Sequence, residues 1–165
     1  MARKRQCTPI ESGSDDLAWP QESLRSVIGY QLTRASLSTL RVFFESVGEA
    51  LALRPVEFTL LCLIDEAPGV SARQLARTLA VSPPNITHWL DRLMARGFVM
   101  RRQNLVDGRT LDLHLTPDGA RTAQVALQAL HQREAVVFAS LSVGEKAMLM
   151  ELLGKLARGA SAASG

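Results

Sequence analysis

The sequence is poor in the residues on which several classes of protein depend. It has two cysteines, three histidines and only 5% aromatic residues in 165 positions. Cys7 and Cys62 are too few for a disulfide framework and suit a reducing compartment. No apolar run approaches the roughly 20 residues that a membrane span needs. The basic start of the chain has no apolar stretch behind it, so we expect a cytoplasmic protein without a secretory signal there.

Motifs of catalysis are missing as well. The sequence contains neither a glycine-rich phosphate loop nor the elbow that presents a nucleophilic serine. The three histidines are scattered, and no pair of acidic residues stands in a recognisable frame. We therefore expect no enzyme and no cofactor.

What the sequence does have is an uneven distribution of charge. Its formal net charge is only +3. Residues 71–109, however, hold seven arginines against Asp91 and Asp107, which is a local net charge of +5. A polyanion such as DNA is the partner that such a basic segment favours.

Apolar periodicity and turn signals predict a mainly α-helical chain with one small hairpin. We expect polar tails at 1–20 and 159–165, a helix over about 21–47, and a break at "LRP" before a buried helix. Two short helices joined by "AVS" follow, then two extended segments, a long helix from Thr116 to about Ser140, and a last helix. Gly97 is expected to end the second short helix in a left-handed conformation. This order predicts a winged helix-turn-helix lobe over about 54–116.

The second helix of a helix-turn-helix lies in the major groove and presents its first residues to base edges. That helix begins here at "SPPNITHW", with Ser82 as a candidate cap, and the preceding helix begins at Ser71. Exposed arginines nearby would contact phosphates without reading sequence. The candidate DNA contacts in these two helices are Ser71, Arg73, Arg77, Ser82, Pro83, Asn85, Thr87, His88 and Arg92.

The hairpin adds a second candidate contact. "LVDGR" carries the Asp-Gly signal of a tight turn, and Gly108 tolerates the positive φ that such a turn requires. Arg109 at the tip is suited to a narrow, A·T-rich minor groove. Asp107 can accept hydrogen bonds that hold the loop and aim this arginine.

These two segments together resemble the MarR family of transcriptional regulators. The wing pattern of the family is an Asp, an Arg two positions later, and an apolar strand that ends in Leu-Thr with a Gly three residues on. It is matched here by Asp107, Arg109, Leu115, Thr116 and Gly119. The recognition helix of the family is similar to the segment "SPPNITHWLDRLMARGFVMR" of this chain. The resemblance covers about residues 22–158, and it departs from the family at Gly108, where a second basic residue is common.

The resemblance implies a homodimeric repressor that binds a pseudo-palindromic operator on double-stranded DNA. Its dimerisation helices would be those of about 21–47 and 117–158 in a single domain of 21–158. The family also implies release by a small aromatic carboxylate or phenolic effector. The residues that suit such a pocket are Tyr30, Arg34, Phe58 and Trp89, because an arginine pairs with carboxylates and aromatic rings stack.

Other interpretations remain open at this point. Cys62 or Cys7 would make the protein a redox sensor, and His131 with Glu134, three apart on a helix, would make it a metal sensor. A winged helix also serves in non-specific architectural DNA binding and in protein–protein interaction. Affinity that is blind to DNA sequence would favour the architectural interpretation.

Overall fold

The structure is a computed structural model that describes residues 22–104 and 111–163. Within these residues, a 3₁₀ turn at Glu22–Leu24 precedes seven α-helices, one π-helical segment and two strands. In chain order these elements are α1 (Ile28–Phe43), a π-helical segment (Phe44–Gly48), α2 (Glu49–Leu51), α3 (Pro55–Glu66), α4 (Ala72–Thr78), α5 (Pro83–Ala95), β1 (Val99–Gln103), β2 (Leu111–Leu115), α6 (Pro117–Val137) and α7 (Val143–Ala163).

The chain divides into two compact units, residues 1–35 and residues 36–165. The described part of the first unit holds the 3₁₀ turn and the beginning of α1. The second unit holds the buried core, to which every element from the end of α1 to α6 contributes. Leu60, Ile64, Ile86, Leu90 and Leu93 are completely buried within it.

The single helix predicted over 21–47 is wrong at both ends. The α-helix begins only at Ile28, and after Phe43 the backbone widens into a π-helical segment that leads into α2. Ser46 contributes to this irregularity, since its hydroxyl donates to the carbonyl of Val42 at 2.6 Å. A serine that bonds back onto its own helix competes with the regular backbone pattern.

The helix-turn-helix and the wing strands are confirmed. α4 and α5 bury one face each, and Gly97 ends the second helix at φ +72°, as predicted for a left-handed cap. β1 and β2 pair antiparallel, with Val99 opposite Leu115 and Gln103 opposite Leu111. Leu113 also pairs with Val70 ahead of α4, so the wing is tied to the start of the helix-turn-helix.

The start of α6 is locked to the end of α5 by a close contact. Thr116 caps α6 by accepting the backbone N–H of Gly119 at 3.0 Å, and its hydroxyl donates to the carbonyl of Gly97 at 2.6 Å. A Cβ on Gly119 would lie 2.0 Å from the carbonyl oxygen of Phe98. Only glycine lets the two backbones approach this closely.

The last helix is longer than predicted. α7 runs to Ala163, whereas residues 159–165 were expected to form a tail. Alanine has the highest helix propensity, and "GASAA" contains three alanines that extend the helix. No helix within the described ranges is long and apolar enough to cross a membrane.

Candidate nucleic-acid interface

α5 separates an apolar face from a polar one. Ile86, Leu90 and Leu93 are fully buried in the core. Asn85 and His88 are exposed on the other side, together with Thr87. The Thr87 hydroxyl donates to the carbonyl of Pro83, one turn earlier, at 3.1 Å. The first two turns of α5 thus present short polar side chains to solvent while the apolar face holds the helix in place.

The start of α5 leaves a hydroxyl group available for a ligand. Ser82 occupies the N-cap position as predicted, but its side chain makes no capping hydrogen bond. The reason lies in the two prolines that follow, since neither has an N–H to donate. The first available N–H, that of Asn85, bonds to the Ser82 carbonyl at 3.1 Å. Pro83 itself is exposed at the first helical position.

α4 contributes the positive charge beside this helix start. Ser71 caps α4 in a reciprocal capping box with Gln74, so its hydroxyl is already used within the protein. Arg73 and Arg77 are exposed, one helical turn apart. Together with Ala76, Ala80, Val81 and Pro83 they line an open groove of about 360 Å³. Two guanidinium groups beside a helix N-terminus are a setting suited to phosphate.

Arg92 is placed differently from the other two candidate arginines. Its Nε atom lies 2.8 Å from Oε1 of Glu57 on α3. Glu57 is completely buried, and it is a residue that the sequence interpretation missed. A charged residue within the apolar run "PVEFTLLCLI" was the available signal. The contact joins two charges without an aligned hydrogen bond at Oε1.

Two further arginines of the basic segment also bind protein groups. Arg96 donates to the carbonyls of Ala52 and Leu51, each at 2.8 Å, and its guanidinium lies 4.6 Å from the centre of the Phe98 ring. Arg101 on β1 pairs with Asp91 at 3.2 Å. The local charge of the segment therefore overstates what it offers to DNA, because Arg96 is oriented towards the protein.

The tip of the wing lies outside the described residues. Asp107, Gly108 and Arg109 all fall within 105–110, so the DNA contacts assigned to them stay predictions. The strands on either side are described, and both Arg101 and Arg102 are exposed on β1.

The four candidate effector residues belong to two different units. Tyr30 and Arg34 lie in the unit of 1–35, where the guanidinium is 5.9 Å from the ring centre. Phe58 and Trp89 lie in the other unit, both half-buried against the core. The Phe58 ring is 5.7 Å from that of Phe43. A pocket formed by all four residues stays a prediction.

A cavity that the sequence did not indicate lies at α6 and α7. Its volume is about 460 Å³, and Phe138, Leu149, Met150 and Leu153 supply much of its apolar lining. His131, Glu134 and Lys146 also line it, but Phe58 and Trp89 do not. Within residues 22–104 and 111–163, no cluster of His, Cys, Asp and Glu is arranged to hold a metal ion.

The setting of Cys62 disfavours its thiolate. Burial, with smaller contributions from the neighbouring carboxylates of Glu66 and Asp65, raises the pKa of the Cys62 thiol to about 11. These three residues line a second cavity, of about 400 Å³, beside α6. A redox-sensing cysteine needs a lowered pKa and positive neighbours, so Cys62 has the opposite character.

We expect Cys62 to be alkylated about a hundredfold more slowly in the folded protein than in denaturant at neutral pH. The thiolate is the reactive form, and a pKa near 11 instead of 9 lowers its population by that factor. Iodoacetamide labelling followed by mass spectrometry, on a Cys7→Ser variant, measures both rates. The folded rate should keep rising with pH up to about 11. Equal rates in the two states would show that the site is open and the pKa ordinary.

Comparison with known proteins gives one consistent result. The sequence model of the MarR family matches residues 53–111. The chain is 30% identical over 129 residues to the HTH-type transcriptional repressor Rv2887 of Mycobacterium tuberculosis, covering 78% of this chain and 92% of that one. It is 33% identical to the multiple antibiotic resistance protein MarR of Salmonella typhimurium, over 64% of this chain and 74% of that one.

Solved structures agree in fold. The transcriptional repressor CouR, bound to a 23-mer DNA duplex, is similar with a TM-score of 0.77 and 30% identity, over 83% of this chain and 96% of CouR. Residue pattern, fold and relatives agree, and the chain belongs to the MarR family of winged helix-turn-helix transcriptional regulators.

Proposed function

We propose that this regulator is a homodimeric repressor that binds a specific operator and is released from it by a small effector. The observation that carries the proposal is the polar face of α5. Asn85, Thr87 and His88 are all exposed, while the apolar face of the same helix is fully buried. Donors and acceptors at the start of a recognition helix are what base edges require. The similar repressor CouR is bound to a DNA duplex in its solved structure.

The apolar surface of the terminal helices supports the homodimer. α7 exposes a series of large apolar side chains, and α6 exposes several more. Those exposed by 40% or more in these two helices are Val125, Leu127, Val136, Val137, Val143, Met148, Leu149, Met150, Leu152 and Leu156. A monomer rarely leaves so much apolar surface in water. We propose that α1, α6 and α7 of two protomers cover one another across a two-fold axis, leaving 54–116 as the DNA-binding lobe.

The proposed effector is a small aromatic carboxylate or phenolic compound. Arg34 supplies a guanidinium that can pair with a carboxylate, and Tyr30, Phe58 and Trp89 supply aromatic surface. The effector can weaken DNA binding only by its difference in affinity for the free and DNA-bound arrangements. The raised pKa of Cys62 gives the alternative, thiol-based release no support.

A mobility-shift titration on the DNA upstream of the protein's own gene tests this function. Scrambled DNA of the same length is the control, and both are titrated at physiological salt with and without a panel of aromatic acids. We expect tight binding to the upstream DNA alone, and release by one class of acid. Equal affinity for both DNAs would favour the architectural function. Selective binding that no acid weakens would leave a repressor with a different signal.

We expect Arg109→Ala to weaken operator binding by about 1–3 kcal/mol, which is typical of a specific contact. The loss should be confined to operator DNA, since a minor-groove arginine reads local shape. Arg77→Gln is the matched control, and it should weaken operator and scrambled DNA alike and flatten the salt dependence. Fluorescence anisotropy at several salt concentrations measures both variants. Unchanged operator affinity in Arg109→Ala would exclude the wing tip from recognition.

A further inference from the structure

Two arginines on the recognition helix face the protein. Arg92 and Arg96 are four residues apart and therefore lie on one face of α5. Arg92 reaches Glu57 on α3, and Arg96 reaches the carbonyls of Leu51 and Ala52 at the end of α2. Both partners belong to the segment 51–57, which we call the α2–α3 corner. α5 is thus held to this corner at two points one helical turn apart.

The corner is built to receive positive charge. Ala52 ends α2 in the left-handed conformation, at φ +48°. The carbonyls at a helix C-terminus lack helical partners and carry partial negative charge, and Arg96 donates to two neighbouring ones at once. Five residues after Ala52, Glu57 adds a negative charge. The corner therefore offers two electronegative points with a spacing that fits two arginines on one helix.

Glu57 is held firmly in its own position. Its Oε2 atom accepts the backbone N–H of Arg54, the residue just before α3, at 2.9 Å. Its other oxygen faces Arg92, and the side chain is 0% exposed. A buried ion pair contributes little net stability compared with apolar residues of the same size, but it can specify one arrangement. A carboxylate fixed in this way determines where α5 can lie.

We propose that Glu57 is a positioning residue for operator recognition, acting through Arg92, and that Arg92 is not a phosphate contact. The Glu57–Arg92 ion pair and the hydrogen bonds of Arg96 to the corner fix the rotation and depth of α5. They thereby fix the position of Asn85 and His88 on base edges. Arg92 lies one turn after His88, so a shift of the turn that holds Arg92 displaces the turn that contacts the bases. The proposal rests on sequence-specific DNA binding as proposed above.

Glu57→Gln tests the proposal with little change in shape. The amide oxygen can still accept the Arg54 N–H, while the charge that orients Arg92 is lost. We expect the ratio of operator to scrambled-DNA affinity to fall about tenfold, the size of one disrupted base contact. Scrambled-DNA affinity should stay the same or rise, because Arg92 becomes available to phosphates. Circular dichroism and thermal unfolding of the variant serve as the control that it is folded at the assay temperature. An unchanged ratio, or equal losses on both DNAs, would overturn the proposal.

The salt dependence separates the two arginine roles. Arg92→Gln should lower the ratio of operator to scrambled-DNA affinity and leave the slope of log affinity against log salt concentration unchanged. Arg73→Gln, the exposed counterpart on α4, should reduce that slope by about one. If Arg92→Gln does not fold, the slope is measured on the Glu57→Gln/Arg92→Gln double variant, which buries no unpaired charge. A slope reduced by about one on losing Arg92 would identify a phosphate contact and refute the proposal. Wild-type protein that fails to distinguish operator from scrambled DNA would instead refute the proposed function itself.

Discussion

Gly119→Ala is expected to lower the free energy of unfolding by about 3 kcal/mol, at the upper end of what overpacking produces. The added Cβ would lie 2.0 Å from the carbonyl oxygen of Phe98 and 2.8 Å from its carbonyl carbon. A backbone carbonyl cannot rotate aside as a flexible side chain does. The start of α6 must therefore move away from the end of α5, and the Thr116 hydrogen bonds to Gly97 and Gly119 would weaken with it.

Chemical denaturation of Gly119→Ala and of Gly144→Ala measures the effect. Gly144 is also helical, but apart from its chain neighbours and the backbone of its own helix no atom lies within 4 Å of a Cβ built there. Alanine at such an open position should stabilise the helix by up to about 1 kcal/mol. The two identical substitutions are thus expected to have opposite signs. Similar unfolding midpoints for both variants would mean that α6 accommodates the added methyl group without a loss in the free energy of unfolding.

Arg92→Met is expected to lower the free energy of unfolding by about 3 kcal/mol, the lower end of the range for breaking a buried ion pair. Methionine fills a similar volume but leaves the Glu57 carboxylate buried without its counter-charge. Arg92 is 38% exposed and Glu57 is 0% exposed. Solvent near the arginine screens part of the interaction, so we do not expect a loss of stability at the upper end of that range.

The double variant Arg92→Met/Glu57→Gln gives the decisive comparison. Removing the carboxylate's charge while keeping an oxygen for the Arg54 N–H should restore most of the stability. Arg73→Met, an exposed arginine on α4, should change stability by no more than about 0.5 kcal/mol. A double variant as unstable as Arg92→Met would assign the loss to packing and not to an unpaired charge.

The predictions that the structure confirms depend on local signals. The left-handed cap at Gly97, the Thr116 cap of α6 and the paired wing strands each follow from a few neighbouring residues. Capping, turn chemistry and apolar periodicity act over one or two turns of chain, and sequence reading detects them for that reason. The start of α1 was misplaced because the apolar spacing continues ahead of Ile28 although the helix does not.

The separation of the arginines into two roles could not be predicted in the same way. Arg73 and Arg92 look alike in the sequence, both within helices of a basic segment. Their difference arises from a contact between Arg92 and a residue 35 positions earlier, and Arg96 reaches a carbonyl 44 positions away. Such contacts depend on how α3 and α5 pack. No local pattern contains that information.

The sequence by itself determined that this chain is a winged helix-turn-helix regulator, because its helix starts, its turns and its apolar faces are local properties. It also placed the candidate DNA contacts Asn85 and His88 on the outer face of α5, since burying Ile86, Leu90 and Leu93 leaves them exposed. Only the tertiary structure decided which arginines remain available to DNA and why Gly119 must lack a side chain. Both depend on distances between segments that packing brings together. Because these contacts are buried, a steric clash or an unpaired charge there has a large energetic cost.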